Sequence, residues 1–238
     1  MVTAATPQIK LSPFKIFQNH NFRLMWTGQL ISTMGSALTS LAASILVFRL
    51  TNSALSVSLM LMATAAPTLL VGLFAGVFVD RFDRKKIMIG ADIFRAVLVL
   101  LIPLLVQHNV AWLYIIVALT SAIGQFFDPA HESVLPEVAS EEELAAANSL
   151  MAISSFGSTA IGFAASGLIA SAANINWAFY IDGISFFISA MLILFIRIKP
   201  LQIDEDTKTS SVTLNLKLGV KQLFQTPVLN SLIKASIP

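Results

Sequence analysis

Apolar residues fill long segments of this chain, and polar and charged residues are gathered between them. Between Arg23 and Arg49, and again between Arg49 and Asp80, there is no Asp, Glu, Lys or Arg. Similar charge-free stretches follow further along the chain. A helix needs about 20 mostly apolar residues to span the hydrocarbon core of a bilayer. The pattern therefore predicts six membrane-spanning helices, over residues 24–48, 53–79, 87–106, 111–127, 144–170 and 177–196.

The composition supports a protein that lies in a lipid bilayer. Charged residues make up 12% and hydrophobic residues 56% of the 238-residue chain, whereas a soluble domain carries about 25% charged residues. We therefore exclude a water-soluble enzyme, and the net charge of +2 is too small to indicate a nucleic-acid partner. The chain contains no cysteine, which excludes disulfide and thiol chemistry. The predicted fold class is an all-α, polytopic membrane protein with a six-helix bundle.

The Lys and Arg residues of the short loops predict how the bundle is oriented. With a cytoplasmic N-terminus, the outer side holds only Arg49. The inner side then collects the other loop cations, Lys10, Lys15, Arg23, Arg81, Arg84, Lys85, Lys86, Arg197 and Lys199. We therefore expect both termini to be cytoplasmic.

The hydropathy pattern also divides the chain into four regions. Residues 1–22 are predicted to be a cytoplasmic N-terminal lead, and residues 23–197 the transmembrane bundle. Residues 198–227 are typical of a cytoplasmic linker with an amphipathic helix, because Leu and Val are interspersed there with Lys and Gln. Residues 228–238 are apolar but too short to span, and we interpret them as the start of a seventh transmembrane helix.

A stripe of polar residues runs along the first predicted span. Gln29, Ser32, Ser36 and Ser40 recur at helical spacing, so they share one face. We interpret this face as lining a water-filled cavity. Packing against a neighbouring helix is the alternative, because hydroxyl and amide groups also join transmembrane helices to each other.

Three ionisable residues lie within the predicted spans, where such residues are candidates for function. Asp92 and Arg95 are three residues apart and lie on one face of a helix, so we expect a structural ion pair between them. Asp182 lies near the outer end of the last span. It is a candidate proton or cation site, with a cap at the membrane interface as the alternative.

The turn between the second and third spans carries the sequence Gly76-Val-Phe-Val-Asp80-Arg81-Phe-Asp83-Arg84-Lys85-Lys86. It resembles the loop signature of the major facilitator superfamily, in which a Gly, three residues, Asp-Arg, two residues and Arg-Lys connect the same two spans. The generic signature has Gly where this chain has Asp83, a departure that resembles the macrolide-efflux and enterobactin-exporter-like branch. The segments Phe127-Asp128-Pro129-Ala130 and Ala147-Asn148-Ser149-Leu150 are also similar to that branch.

The resemblance implies that this chain matches the first of two six-helix halves that rock against each other. Asp80 would brace the second half, Gly76 would let that half approach closely, and Arg84 would pair with Asp128. The implied conformational latch comprises Gly76, Asp80, Arg81, Arg84, Lys85 and Asp128.

The resemblance further implies secondary-active efflux of a drug-like or siderophore-like molecule, coupled to protons and requiring no cofactor. The location would be the bacterial inner membrane. The partners would be the lipid bilayer, protons, the small-molecule substrate and a second six-helix half, carried by the same chain or another. Asp182 is the candidate for proton coupling, and the candidate cavity residues are Gln29, Ser32, Ser36 and Gln125.

Two alternatives to a working transporter half stay open. The chain could be an inactive or partner-dependent fragment, because a lone bundle leaves Asp80 without a facing half. An intramembrane enzyme is the other alternative, since Gly183-Ile184-Ser185 is half of a serine-hydrolase motif. We expect no enzyme and no metal site, because no HExxH-like motif occurs and the histidines are predicted in loops or at span ends, at His20, His108 and His131.

Overall fold

The computed structural model describes residues 13–198, which form a short 3-10 helix, Pro13–Gln18, followed by six α-helices. In chain order these are α1 (His20–Thr51), α2 (Ala54–Val79), α3 (Arg84–Leu105), α4 (Ala111–Val138), α5 (Leu144–Ala172) and α6 (Asn176–Phe195). All six are long and apolar enough to cross a membrane, and no strand occurs among residues 13–198. The predicted all-α, six-span fold is confirmed. The predicted amphipathic helix and seventh span lie outside the described residues.

Polar side chains determine where several helices begin and end. Asn19 caps the start of α1, Ser53 caps α2, and Asp83 caps α3 by accepting a 3.2 Å hydrogen bond from the backbone N–H of Lys86. Such side chains satisfy N–H groups that lack a partner within the helix. The end of α1 is marked by Asn52, which has a left-handed φ of 50°. Asp83 thus has a local structural role at the position where the family signature carries Gly.

The fourth helix is longer than the sequence predicted. The expected end at residue 127 is wrong, because α4 continues through Asp128 and Pro129 to Val138. Its last turns place side chains at helical spacing against the bundle, which favours continuation of the helix. These buried residues are Ala130, His131, Val134, Leu135 and Val138. His131, expected at a span end, is therefore buried inside α4 and stacks on the ring of Phe127.

The packing of the helices repeats within the bundle. The principal neighbours of α1 are α5 and α6, those of α4 are α2 and α3, and α3 also packs against α6. The same set of packed helix pairs is obtained when α1 is exchanged with α4, α2 with α5 and α3 with α6. Counterparts are three spans apart, so they cross the membrane in opposite directions, as in the inverted repeats of many transporters. No exact repeat in the sequence indicated this relationship.

Two apolar clusters form the core of the bundle, and a polar layer lies between them. One cluster surrounds Phe22, Met88 and Phe127 at the end that carries the turn between α2 and α3, here called the basic end. The other surrounds Val99 and Phe179, towards the opposite end. The buried polar residues of the intervening layer are Ser32, Asp92, Arg95, Asp182, Ser185 and Ser189.

Candidate functional site: a polar cavity beside a buried charged layer

A buried ion pair on α3 forms the centre of the polar layer. Nη2 of Arg95 donates a hydrogen bond to Oδ1 of Asp92, and the exposed fractions of these residues are 9% and 0%. The guanidinium carbon of Arg95 lies 4.6 Å from the ring centre of Phe127 and 4.3 Å from that of Phe186. Cation–π attraction to both rings holds the guanidinium between α4 and α6. Nε of Arg95 is buried and makes no hydrogen bond in the described structure.

Asp182 on α6 belongs to the same electrostatic group. Asp182 is 1% exposed. The hydroxyl group of Ser185 donates hydrogen bonds to the backbone oxygen of Asp182 at 2.7 Å and to its Oδ1 at 3.3 Å. Thr39 of α1 lies beside the carboxylate, and the charges of Arg95 and Asp92 act on it. Because α6 begins at Asn176, Asp182 lies inside the helix and does not cap it. The alternative of a cap at the membrane interface is therefore wrong.

A cavity of ≈ 270 Å³ adjoins this charged group. Helices α1, α2, α3, α4 and α6 contribute to its wall, which combines hydroxyl groups, one amide, two charged groups and a few apolar side chains. The lining residues are Ser36, Thr39, Ser40, Thr64, Arg95, Ile102, Val117, Thr120, Ser121, Gly124, Gln125, Asp182 and Phe186. The fold therefore brings Ser36, Gln125 and Asp182, which were predicted separately from the sequence, to one cavity.

Gln29 and Ser32, the other two predicted cavity residues, do not line it. Ser32 is 4% exposed, and its hydroxyl donates to the backbone oxygen of Gln29 at 3.3 Å. The Gln29 amide donates to Thr33 Oγ1, also at 3.3 Å. Both side chains are therefore bonded within α1, one to two turns nearer the basic end than the cavity. Helical spacing predicted the shared face but not the depth at which that face meets the cavity.

The sequence analysis missed a set of cavity hydroxyls on α2 and α4. Ser121 Oγ donates to the backbone oxygen of Thr64 at 2.7 Å, and Gln125 Nε2 donates to Thr68 Oγ1 at 3.3 Å. Thr120 Oγ1 is buried and makes no hydrogen bond in the described part of the chain. A signal was present, because Ser121 and Gln125 are four residues apart and share a helix face.

At the basic end, Arg84 of α3 pairs with Glu137 of α4. Arg84 Nη1 lies 2.6 Å from Glu137 Oε1. The expected Arg84–Asp128 pair is therefore wrong in this structure. Asp128 lies more than two turns before Glu137 on α4, so it is too far from the start of α3. It is exposed and within electrostatic reach of Arg95.

The other predicted latch residues lie around the same turn. Lys85 Nζ donates to the backbone oxygens of Leu194 and Ile196, at 2.9 and 2.7 Å, and so satisfies carbonyl groups at the end of α6. Asp80 is exposed, and a Cβ at Gly76 would meet no atom within 4 Å. Arg81 has a buried Nη2 without a hydrogen-bond partner in the described structure. Lys85 thus acts within the bundle, while Asp80 and Gly76 face open space.

The enzyme alternative gains no support from the geometry of Ser185. Its hydroxyl bonds to Asp182, whereas a serine nucleophile needs a histidine base. Within residues 13–198, no group of three His, Asp or Glu residues is placed to hold a metal ion.

Six helices that are long and apolar enough to cross a membrane, packed around a polar cavity, define the class of this chain as a multi-pass helical membrane protein. Comparison with known families identifies the particular family. The family model described as "Major Facilitator Superfamily" matches residues 25–237. The chain belongs to the major facilitator superfamily.

Relatives of this chain include proteins named as efflux proteins. It is 32% identical over 219 residues to an uncharacterized MFS-type transporter, YfiS, of Bacillus subtilis (strain 168), covering 90% of this chain and 52% of the relative. It is 33% identical over 187 residues to macrolide efflux protein A of Streptococcus pyogenes, covering 76% and 45%. It is 31% identical over 213 residues to the multidrug efflux pump Tap of Mycolicibacterium fortuitum, covering 83% and 51%. The chain thus spans about half the length of the curated relatives it matches.

Proposed function

We propose that these six helices form one half of a secondary-active exporter, which works by alternating access together with a second six-helix half. The observation that carries the proposal is the cavity of ≈ 270 Å³ with Arg95 and Asp182 in its wall. In such transporters the substrate binds near the bilayer midplane between two repeats. The exposed Asp80 and the open space at Gly76 provide a surface for the second half.

The balance of buried charge supports the proposal that Asp182 couples export to protons. Among the described residues, the buried carboxylates are Asp92 and Asp182, and Arg95 is the buried guanidinium. Burial of a charge without a partner of opposite sign costs on the order of several kcal/mol. When both carboxylates are ionised, the group therefore lacks one positive charge. In the proposed cycle a proton on Asp182 compensates for this missing charge while the cavity is empty, and substrate binding beside Asp182 releases that proton.

The proposed substrate is a drug-like or siderophore-like small molecule. The cavity wall supplies hydrogen-bonding groups such as Gln125 and Ser36 and an aromatic face at Phe186. A mixed wall of this kind suits an amphiphilic molecule, because its apolar part is desolvated while a few polar groups orient it. The names of the macrolide efflux and multidrug efflux relatives favour drug-like molecules and outward transport.

The proposed location is the bacterial inner membrane, with the basic end in the cytoplasm. That end carries Arg84, Lys85 and Lys86 at the turn between α2 and α3, and Arg197 after α6. Cytoplasmic loops are enriched in such cations. In the proposed latch, Asp80 and Arg81 bind the second half in one state of the cycle and separate from it in the other.

The proposal is tested by substrate accumulation in cells that produce the protein from its complete coding sequence. A macrolide and a fluorescent cationic dye serve as probes. Cells with the protein should accumulate less of a probe than control cells, and a protonophore should abolish the difference. Unchanged accumulation across a broad panel of drug-like and siderophore-like probes would contradict export.

Asp182→Asn tests the coupling site within the same assay. Asparagine keeps the shape of the side chain but does not exchange a proton, so the variant should insert normally and lose pH-dependent export. Asp182→Glu keeps the carboxyl group, and Ser185→Ala removes only a hydrogen bond to it, so both should retain part of the pH dependence. Normal pH-dependent export by Asp182→Asn would exclude Asp182 as the proton site.

A further inference from the structure

The backbone of α1 lies close to the side chain of Asp182 at Gly35. A Cβ atom at Gly35 would lie 2.6 Å from Oδ1 of Asp182 and would overlap Oγ of Ser185. Both oxygen atoms would be closer to that Cβ than van der Waals contact allows. Gly35 is buried, so the α1 backbone itself covers the carboxylate on this side. The space that Asp182 occupies therefore exists because residue 35 has no side chain.

A second glycine of α1 provides an internal comparison. Gly28 lies about two turns earlier and also faces α6. A Cβ at Gly28 would lie 3.4 Å from Oγ of Ser189 and 3.6 Å from its Cα, which is ordinary contact. The packing of α1 on α6 therefore leaves room for a methyl group at residue 28. At residue 35, which faces Asp182 and Ser185, a methyl group would clash with both side chains.

We propose that Gly35 is a positioning residue for the Asp182 carboxylate, which it holds in the cavity wall between α1 and Ser185. The inference rests on the proposed role of Asp182 in proton coupling. Ser185 Oγ bonds to Oδ1 of Asp182 at 3.3 Å, and the α1 backbone at Gly35 closes the other side of that oxygen. A side chain at residue 35 forces the carboxylate to rotate towards the cavity. A movement of α1 against α6 would change the surroundings of the same carboxylate.

Helix α1 acts on Asp182 through shape and not through charge. Between Arg23 and Arg49 it carries no Asp, Glu, His, Lys or Arg, and α5 carries none along its length. The charged groups that act on Asp182 are Arg95 and Asp92, both from α3. From α1 the carboxylate meets Gly35 and the hydroxyl-bearing Thr39. A substitution at residue 35 therefore changes the position of Asp182 without adding or removing a neighbouring charge.

The test separates the position of the carboxylate from the packing of the helices. Gly35→Ala introduces both clashes, whereas Gly35→Ala combined with Ser185→Ala removes the hydroxyl overlap and leaves the clash with Asp182, together with a 3.0 Å approach to Cβ of residue 185. Gly28→Ala is the matched control. All variants are made in the complete protein and reconstituted in lipid vesicles. The measurements are the amount of folded protein, the dependence of export on pH, and the infrared carboxyl band that Asp182→Asn removes.

We expect the double variant to accumulate as folded protein, because rotation of the Asp182 side chain relieves the clash with Oδ1. A shift of a few tenths of an ångström between α1 and α6 relieves the 3.0 Å approach to Cβ of residue 185. Its kcat/KM for export should fall about tenfold or more, since a misplaced reacting group loses rate steeply. The midpoint of its pH profile and the Asp182 carboxyl band should both shift, with a midpoint change of about one pH unit. Gly28→Ala should keep the wild-type kcat/KM within about threefold, since a Cβ there makes only ordinary contact. Ser185→Ala alone, which lacks the hydrogen bond to Asp182, is the reference from which the effect of the methyl group in the double variant is measured.

Two outcomes would overturn the positioning role. A double variant with the wild-type pH profile and carboxyl band would show that the carboxylate does not depend on residue 35. A double variant that does not fold would show that helix packing alone requires glycine there. Failure of the coupling proposal is recognised separately, because Asp182→Asn would then retain pH-dependent export whatever the residue at position 35.

Discussion

Arg84 at the start of α3 and Glu137 near the end of α4 form an ion pair with an N–O distance of 2.6 Å. Arg84 also approaches the backbone oxygen of Ser133 at 3.5 Å, so one side chain joins two consecutive turns of α4. The side chains of the pair are 22% and 26% exposed, which means that solvent screens them only in part. The pair fastens two neighbouring helices at the end of the bundle where the proposed latch lies.

Glu137→Gln should destabilise the bundle, because it removes the charged partner of Arg84. For a partly exposed pair we expect a loss of about 1 kcal/mol in the free energy of unfolding. The measurement is thermal unfolding in detergent, and Asp128→Asn is the control because Asp128 makes no ion pair with Arg84. A larger loss for Asp128→Asn than for Glu137→Gln would contradict the observed pairing. The charge-reversed pair, Arg84→Glu with Glu137→Arg, should recover part of the loss.

Gly162→Ala should disturb the contact between α5 and α1. A Cβ at Gly162 would lie 2.5 Å from the backbone oxygen of Met34 and 2.7 Å from Cβ of Ala37. Overpacking of this kind costs about 1–3 kcal/mol, so the variant should unfold at a lower temperature or yield less folded protein. Gly167→Ala is the matched control on the same helix, since a Cβ there would meet nothing within 4 Å. Equal stability of the two variants would show that the helices do not cross as closely as the structure has them.

Asp80→Asn should abolish export by the complete protein while leaving its amount in the membrane unchanged. Asp80 is exposed at the end of α2 and makes no ion pair within the described residues, so its charge is available for the second half. Asp83→Asn is the control from the same turn. Asparagine caps a helix about as well as aspartate, so that variant should keep both export and insertion. Full export by Asp80→Asn would exclude its role in the latch.

The number and positions of the spans could be predicted from local sequence. A hydrophobic stretch of sufficient length must form a helix in a bilayer, because the backbone has no other hydrogen-bonding partner there. This requirement is local, so each span could be predicted from its own residues. The all-α fold is confirmed for the described residues, and the resemblance carried by the turn from Gly76 to Lys86 is confirmed by the family match over residues 25–237. The region boundaries and the roles of the predicted site residues remain predictions.

The contacts between polar groups of different helices depend on how the helices pack. The end of α4 at Val138 depends on burial of its last turns against the bundle. The partner of Arg84 depends on which acidic residue of α4 reaches the start of α3. The contact between Gly35 and Asp182 joins positions far apart in the chain. Hydropathy and helical spacing describe one helix at a time, whereas the depth and rotation of each helix are set by side-chain packing against its neighbours, and that information is distributed over all six.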